Sequence, residues 1–223
     1  MADEELKKFE KLAQDWWNVS GSMKMLHQLN SLRLEYINKN FSLEKKLLLD
    51  FGCGGGILTE SLYNKNNKII GMDNNEKLLE IANSHKGEKK IKYLHASKID
   101  DFQDEFDGIF CFEVLEHVPN FQITLEKLIS KLKSGGTIFL STINKSLISF
   151  IKSIVMAEYV LNIVPKGTHS YEKFIIPSDL NEILENNNCL IEEIKGIEYS
   201  LINKELFITK NCDVNYILHA IKI

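Results

Sequence analysis

Several features that direct a chain to a particular environment are missing from this sequence of 223 residues. Basic residues do not outnumber acidic ones, and the formal charge of −4 argues against the basic surface that nucleic-acid binding usually requires. No stretch reaches the ~20 uninterrupted apolar residues of a transmembrane helix. Residues 1–21 carry both charge signs and lack the apolar stretch of a secretory signal. We therefore expect a cytoplasmic protein without nucleic-acid partners.

Cysteine and proline are also scarce. The cysteines are Cys53, Cys111, Cys189 and Cys212. Their spacing is not that of a metal site, and reduced, mostly buried thiols agree with a cytosolic location. Proline occurs only three times, which we attribute to compositional drift. The 44% hydrophobic and 26% charged residues are ordinary for a globular protein, and the length predicts a single domain over residues 1–223.

A short apolar run that enters a cluster of glycines is the most informative stretch of the chain. Residues 46–56 read Lys-Leu-Leu-Leu-Asp-Phe-Gly-Cys-Gly-Gly-Gly. An apolar run closed by glycines is typical of a central parallel strand. Gly52 can turn without a Cβ penalty, and Gly54 lets the backbone approach a ligand closely. A helix predicted from Ile57 would present its unpaired N–H groups at the same place.

A second short strand, residues 68–73, ends in an acid. Asp73 follows Gly52 by 21 residues (73 − 52), close to the ~20-residue offset at which an acid meets ribose hydroxyls. The spacing G-x-G-x-G differs from the dinucleotide fingerprint, and Asp50 would repel a pyrophosphate but suit an ammonium or sulfonium group. The glycines alone fit a tight turn equally well. Together with Asp50 and Asp73 they favour S-adenosylmethionine.

Strands and helices alternate through the middle of the chain. The predicted strands are residues 46–51, 68–73, 91–95, 107–112, 136–142, 189–195 and 214–223. This alternation predicts an α/β fold with a doubly wound, Rossmann-like, seven-stranded sheet, whose last two strands form an antiparallel edge hairpin. Helices within residues 1–44 are expected to cap the cofactor pocket. Arg33 in this segment either meets a carboxylate there or is a solvated helix cation.

The fourth predicted strand is followed by a cluster of ionisable side chains. In a helical turn Glu113, Glu116 and His117 fall at i, i+3 and i+4, which puts all three on one face. Two carboxylates and an imidazole could hold a divalent ion with open positions for substrate oxygens, and such ligands suit Mg²⁺ or Mn²⁺ without excluding Zn²⁺. The alternative is structural, because acids are favoured near a helix N-terminus and a lone histidine is usually structural.

Past residue 145 the strand–helix rhythm breaks. Residues 146–164 are strongly apolar but are interrupted by Lys152, Ser153, Glu158 and Asn162. This pattern suits an amphipathic helix that rests on a bilayer or covers an apolar pocket, and it suits a core helix as well. We refer to residues 146–177 as the inserted segment.

Taken together, these motifs resemble the class I S-adenosylmethionine-dependent methyltransferases and, more closely, the ubiquinone-biosynthesis O-methyltransferases. The resemblance covers nearly the whole chain. It is carried by Phe9 through Trp16-Trp17, residues 26–30 with Arg33, and residues 49–56, 71–73, 115–119, 157–159, 164–169 and 213–216. The glycine motif is shared by many methyltransferases. The Glu-x-x-Glu-His stretch at residues 113–117 and the Pro-Lys-Gly-Thr-His stretch at residues 165–169 are far more particular.

The resemblance implies a class I methyltransferase fold and a role for each matching residue in binding S-adenosylmethionine. Arg33 would hold the methionyl carboxylate, the loop at Gly52 the methionine and sugar, Asp73 the ribose and Phe112 the adenine. The implied cofactor contacts are completed by Cys53, Gly54, Asn74 and Ser97. Glu113, Glu116 and His117 match the family's divalent-metal ligands, with Mg²⁺ as the expected ion, and are the implied catalytic residues. His117 could alternatively act as general base.

The resemblance also implies a substrate and a location. The expected activity is O-methylation of polyprenyl phenol and catechol intermediates, of the 2-polyprenyl-6-hydroxyphenol and 3-demethylubiquinol type. Because such substrates lie in the membrane, the inserted segment is expected to be an interfacial lid, on a protein held peripherally at the inner face of the membrane beside other quinone-biosynthesis proteins. Two alternatives stay open: a non-catalytic, membrane-docked component of a quinone-biosynthesis assembly, and a small-molecule or RNA methyltransferase outside quinone metabolism. The acidic balance disfavours RNA.

Overall fold

The computed structural model describes residues 15–103, 105–145, 174–200, 202–203 and 205–223. Within these ranges the helices are α1 (Lys24–Asn40), α2 (Ile57–Leu62), α3 (Glu76–His85), α4 (Phe121–Ser130) and α5 (Pro177–Asn186). The strands are β1 (Leu47–Phe51), β2 (Lys68–Asp73), β3 (Ile91–His95), β4 (Phe106–Phe112), β5 (Leu132–Ile143), β6 (Cys189–Ser200), β7 (Glu205–Thr209) and β8 (Asn215–Lys222). Short 3₁₀ helices follow β3, over Ala96–Asp101, and β4, over Leu115–His117.

The strands form one sheet in the order β3-β2-β1-β4-β5-β8-β6-β7. The pairs among β1 to β5 are parallel, whereas β8 is antiparallel to both β5 and β6. The chain reverses its direction of travel across the sheet between β1 and β4, and open α/β sheets bind ligands outside the carboxyl ends of the strands at such a point. The predicted doubly wound α/β fold is confirmed.

The described residues contain eight strands, one more than predicted. The additional strand β7 pairs antiparallel with β6 and lies in a stretch that the sequence indicated only as a loop. As an edge strand, β7 is covered only in part: Leu206 and Ile208 pack against the core beside α1, while Phe207 remains exposed. Five residues of weak alternation are too short a signal to distinguish an edge strand from a loop.

Both faces of the sheet are covered by helices, which gives three layers. One core lies between the sheet and helices α4 and α5, and a second lies between the sheet and helices α1, α2 and α3. The central strands are therefore continuous apolar runs, and Leu48, Leu49, Ile109 and Phe110 have no exposed surface. Each such side chain contributes about 1.5–3 kcal/mol on burial, so the middle of the sheet is the most stable part of the fold.

Parts of two predicted segments fall outside the described residues. These are residues 1–14 of the expected N-terminal capping helices and residues 146–173 of the inserted segment. The described part of the capping region contains α1, whose buried face includes Arg33, Tyr36 and Ile37. In the part of the chain that the structure describes, none of the helices combines the length and apolar composition that a membrane crossing requires.

Candidate active site

The turn between β1 and α2 crosses the carboxyl end of the sheet and depends on glycine at two positions. Gly52 and Gly54 have φ angles of 81° and 53°, in the region that residues with a Cβ rarely adopt. A Cβ on Gly52 would lie 2.1 Å from Cγ2 of Val114, and one on Gly54 would lie 2.7 Å from the Trp16 ring. The turn therefore has no room for a side chain at either position, and both glycines line the cavity described below.

Asp73, the last residue of β2, is held by backbone donors. Its Oδ2 atom accepts a hydrogen bond from the N–H of Gly54 at 2.9 Å, and Oδ1 accepts one from the N–H of Asn75 at 2.8 Å. Burial raises the pKa of Asp73, and the backbone N–H groups of Asn75, Gly54 and Asn74 oppose that shift. The carboxylate is thus fixed in one orientation, with lone pairs left for the hydroxyls of a ribose.

Asp50 lies in the interior below the same turn. It is 3% exposed, and one carboxylate oxygen accepts a hydrogen bond from the Thr59 hydroxyl. Burial raises its pKa to about 7, with Thr59 and Arg33 lowering it and Asp73 raising it further. A cationic group of a ligand placed beside Asp50 would favour the ionised carboxylate.

Arg33 extends from α1 into the same region and is buried. Its burial excludes the alternative interpretation of Arg33 as a solvated cation on the helix surface. Its Nη2 atom lies 3.4 Å from Oγ of Ser141 and 3.6 Å from Oε1 of Glu113, and its guanidinium carbon is 4.9 Å from the ring centre of Phe112. Among the described residues its Nε atom has no hydrogen-bond partner. Burial lowers the pKa of Arg33, and the carboxylates of Glu113, Asp50 and Glu116 oppose this. A buried, underbonded guanidinium is suited to binding a carboxylate ligand.

These groups line a cavity of about 230 Å³ at the switch point of the sheet. The predicted site residues that line it are Arg33, Gly52, Cys53, Gly54, Asp73, Asn74, Phe112, Glu113 and His117. Ser97 does not line it, although it was expected among the cofactor contacts. Its side chain is exposed and hydrogen bonded to Nδ1 of His95 at 2.9 Å, and the preceding residue, Ala96, lines the cavity instead.

Two further lining residues, Trp16 and Asn30, were not assigned a role from the sequence. The Trp16 ring lies against the glycine turn, and Asn30 is buried on α1, where its amide donates to the Ser61 hydroxyl at 3.1 Å. Both belong to stretches that carry the family resemblance, and that membership indicates a role at the site. Arg33 is the only arginine in the sequence, and this also indicates a specific role for it.

Beyond β4 the backbone turns sharply at Glu113. This residue has a φ of 55°, a left-handed conformation that costs a residue with a Cβ on the order of 1–3 kcal/mol. The conformation is held from β5: the N–H of Glu113 donates to the Ser141 carbonyl at 2.9 Å, and the Ser141 hydroxyl donates to Oε1 of Glu113 at 2.8 Å. Such strain is common at functional sites.

Glu116 follows in the 3₁₀ helix and is 4% exposed. Its Oε2 atom has no hydrogen-bond partner in the described part of the chain. Burial, together with the neighbouring carboxylate of Glu113, raises the pKa of Glu116 well above its usual range. His117 is partly buried and lines the cavity beside Glu113.

The expected three-ligand metal site is not formed by these side chains. Over the described ranges, no group of three or more His, Cys, Asp or Glu residues is arranged so that it could hold a metal ion. The prediction assumed a helical turn from Glu113 to His117. Glu113 instead precedes the 3₁₀ helix in a left-handed conformation, and its carboxylate lies toward Ser141 and Arg33. In this arrangement the three side chains are not suited to bind a divalent metal ion.

Comparison with known proteins gives the same fold. A family model described as a methyltransferase domain matches residues 25–194. A magnesium protoporphyrin IX methyltransferase from Synechocystis PCC 6803, crystallised with S-adenosylhomocysteine, has a TM-score of 0.70 at 18% identity, covering 99% of this chain and 95% of that chain. A methyltransferase from Anabaena variabilis has a TM-score of 0.65 at 17% identity, covering 100% and 95%. The fold and the site therefore define a class I S-adenosylmethionine-dependent methyltransferase.

Relatives at higher identity define the family. An enzyme from Coxiella burnetii named ubiquinone biosynthesis O-methyltransferase is 39% identical over 96% of this chain and 93% of its own length. Proteins of the same name from Hydrogenovibrio crunogenus and Marinobacter nauticus are 41% and 39% identical, over 96% and 97% of this chain and 91% and 94% of theirs. The chain belongs to the ubiquinone biosynthesis O-methyltransferase family. The predictions of this family, of an O-methyltransferase and of S-adenosylmethionine as cofactor are confirmed.

Proposed function

We propose that this enzyme transfers a methyl group from S-adenosylmethionine to a phenolic hydroxyl of polyprenyl phenol and catechol intermediates in ubiquinone biosynthesis. The substrates are of the 2-polyprenyl-6-hydroxyphenol and 3-demethylubiquinol type. The names of the relatives support the pathway. The observation that carries the chemistry is the group of Glu113, Glu116 and His117 at the carboxyl end of β4, beside a cavity whose other side is suited to the cofactor.

The proposed step is an in-line attack of the phenolic oxygen on the sulfonium methyl group. The O–CH₃ bond forms as the S–CH₃ bond breaks, and S-adenosylhomocysteine leaves. The methyl group is already activated, so the protein must align the two reactants and remove the phenolic proton. Asp73 and Arg33 hold the two ends of the cofactor. His117, which lines the cavity, accepts the proton from the hydroxyl, and the carboxylate of Glu113, which lines the same cavity, stabilises the resulting imidazolium.

The family resemblance also implies that a divalent metal ion assists the reaction. A bound cation would lower the pKa of the phenol and align its oxygens. Because the three side chains do not form a ligand set, the proposed step assigns proton removal to His117. Chelation distinguishes the two cases. Turnover that survives exhaustive EDTA treatment supports His117 as the base, and turnover lost with EDTA and restored by Mg²⁺ would show that the side chains rearrange around an ion.

The reaction itself is tested with purified protein, S-adenosylmethionine labelled in its methyl group, and a catechol carrying a short prenyl chain. The expected result is a labelled methyl ether, formed faster than with the same catechol lacking the prenyl chain. Binding of S-adenosylhomocysteine without any transfer to prenyl phenols would contradict the proposal and favour the non-catalytic component. Transfer only to acceptors without a prenyl chain would favour a methyltransferase outside quinone metabolism.

We extend the proposal to the membrane surface, where a polyprenyl acceptor must be collected. The apolar sequence of the inserted segment supports a peripheral association with the inner face of the membrane. Residues 174–177, the described end of the inserted segment, are attached to the sheet. The N–H of Ile175 donates to the Ile143 carbonyl at 3.2 Å, and the Tyr216 hydroxyl donates to the Ile175 carbonyl at 3.0 Å. The segment therefore rejoins the sheet at the carboxyl end of β5, near Glu113. Protein that stays wholly in the soluble fraction in liposome flotation would contradict this extension.

A further inference from the structure

Glu113 is an internal partner of the guanidinium that is suited to the cofactor carboxylate. Its Oε1 atom lies 3.6 Å from Nη2 of Arg33, well beyond the ~2.7–2.9 Å of a strong charge-assisted hydrogen bond. The ion pair is therefore loose, and the Nε atom of Arg33 is left without a partner among the described residues. An incoming carboxylate could bind this guanidinium with two hydrogen bonds, which Glu113 does not do.

Ser141 holds Glu113 in this position. It is fully buried near the end of β5, and its hydroxyl accepts a hydrogen bond from Arg33 at 3.4 Å while donating one to Glu113 at 2.8 Å. Its backbone carbonyl also accepts the N–H of Glu113 at 2.9 Å. One residue thus touches both the cofactor-binding guanidinium and the carboxylate on the acceptor side, and it keeps Glu113 in a left-handed conformation.

We propose that Glu113 occupies Arg33 in the cofactor-free enzyme, that the carboxylate of the cofactor displaces it, and that Ser141 is the positioning residue that holds Glu113 until then. This inference rests on the proposed function, because it takes the cofactor carboxylate to bind Arg33. Displacement leaves Glu113 free to turn toward the acceptor. The acceptor side of the site is therefore completed only after the cofactor has bound, which makes binding ordered, with the cofactor first.

The test compares two ligands that differ in one carboxylate. S-adenosylhomocysteine carries it, and 5′-(3-aminopropylthio)adenosine, its decarboxylated analogue, keeps the amino group and the adenosine. Both are titrated by calorimetry into the wild-type protein and Glu113→Gln. Because the substitution removes the competing charge, we expect S-adenosylhomocysteine to bind roughly 5- to 10-fold more tightly to the variant. The decarboxylated analogue should bind both proteins with equal affinity.

Two further variants separate positioning from a structural role. Ser141→Ala removes one restraint on Glu113, so it should tighten S-adenosylhomocysteine binding in the same direction, by a smaller factor, while turnover falls. Arg33→Met has no cation for which the two carboxylates could compete, so adding Glu113→Gln to it should leave the affinity unchanged. Circular dichroism verifies that each variant is folded.

Three results would overturn the inference. Weaker or unchanged binding of S-adenosylhomocysteine to Glu113→Gln would show that Glu113 does not compete for Arg33. Equal tightening for both ligands would show a general charge effect instead of competition. Unaltered binding and turnover in Ser141→Ala would remove the positioning role. If the wild-type protein binds neither ligand, the proposed function itself fails, and that outcome is distinct from the other three.

Discussion

The two sides of the cavity are built differently. The cofactor side, formed by the turn at Gly52–Gly54 and by Asp73, is made largely of backbone, and both carboxylate oxygens of Asp73 have backbone donors. The acceptor side consists of side chains: Glu113 and His117 line the cavity, and Glu116 is buried behind them. It contains a strained residue and a buried carboxylate oxygen without a partner in the described structure. The hydrogen bonds that fix the cofactor side are already formed in the absence of a ligand. The acceptor side still has a polar atom that lacks a hydrogen-bond partner in the described structure.

The largest effect is expected from variants of the acceptor side, which should lose turnover and keep their affinity for the cofactor. We expect Glu116→Ala and His117→Ala to lower turnover by a factor of roughly 100 or more, because the first removes a buried neighbour of the Glu113 carboxylate and the second removes the proton acceptor. Calorimetry with S-adenosylhomocysteine should give an affinity like that of the wild type. Glu116→Gln is the matched control that preserves the packing around the buried carboxyl group. Loss of cofactor binding in these variants would mean that the two sides are not independent.

Asp73 tests the opposite side. Asp73→Ala removes the acceptor of two backbone hydrogen bonds and a partner of the ribose, so cofactor affinity should fall by roughly 10- to 100-fold. Turnover at saturating cofactor should remain close to that of the wild type, since the acceptor side is untouched. Asp73→Asn keeps the size and one acceptor oxygen, so its cofactor affinity should lie between those of the wild type and Asp73→Ala. A collapse of turnover that added cofactor does not restore would contradict this division.

Asp50, below the glycine turn, should make the free energy of unfolding depend on pH. Its pKa is about 7 in the folded protein, above the ordinary value of 3.8, so folding favours the protonated carboxyl group. That stabilisation is fully present below about pH 4 and is lost as the pH rises through about 7. Asp50→Asn should therefore raise the free energy of unfolding by roughly 2–4 kcal/mol at pH 8, and the gain should shrink toward zero as the pH approaches 4. Urea denaturation at several pH values measures this, and a gain independent of pH would contradict it.

The smallest effect is expected away from both sides. The Tyr36 hydroxyl contacts Nδ1 of His219 at 2.9 Å and donates to the Glu193 carbonyl at 3.2 Å, in the core beneath α1. Tyr36→Phe should lower the free energy of unfolding by about 1–2 kcal/mol, because a buried hydrogen bond is lost. Cofactor affinity and turnover should not change, although Arg33 lies one turn away on the same helix. Altered affinity would show that this hydroxyl helps to place α1.

The cofactor side could be predicted from the sequence because its requirements are local. Positive φ angles at Gly52 and Gly54 call for glycine, and the offset to Asp73 follows from one strand–helix–strand unit. The acceptor side could be predicted only as a set of residue types. The direction of the Glu113 carboxylate depends on Ser141, 28 residues further on, and that of Arg33 on the same residue, 108 residues away. Spacing within a motif carries no information about such distant partners.

Ser97 and β7 illustrate the same limit. A one-residue difference places Ala96 rather than Ser97 against the cavity, since the 3₁₀ helix after β3 turns the Ser97 side chain to solvent. The strand β7 forms because β6 provides a hydrogen-bonding edge, which its own five residues do not indicate. The local backbone after β3 decided the position of Ser97, and the contact with β6 decided β7. Neither is indicated by residue spacing, whereas the glycine turn is.

The solitary arginine has a practical consequence. Phenylglyoxal and related dicarbonyl reagents modify guanidinium groups selectively, and Arg33 provides this chain with one guanidinium target, buried in the wall of the cavity. Mass spectrometry of the labelled protein would need no site mapping among competing arginines. The labelling rate can then serve as a direct readout of whether the cavity is filled, without mutation and without an acceptor substrate.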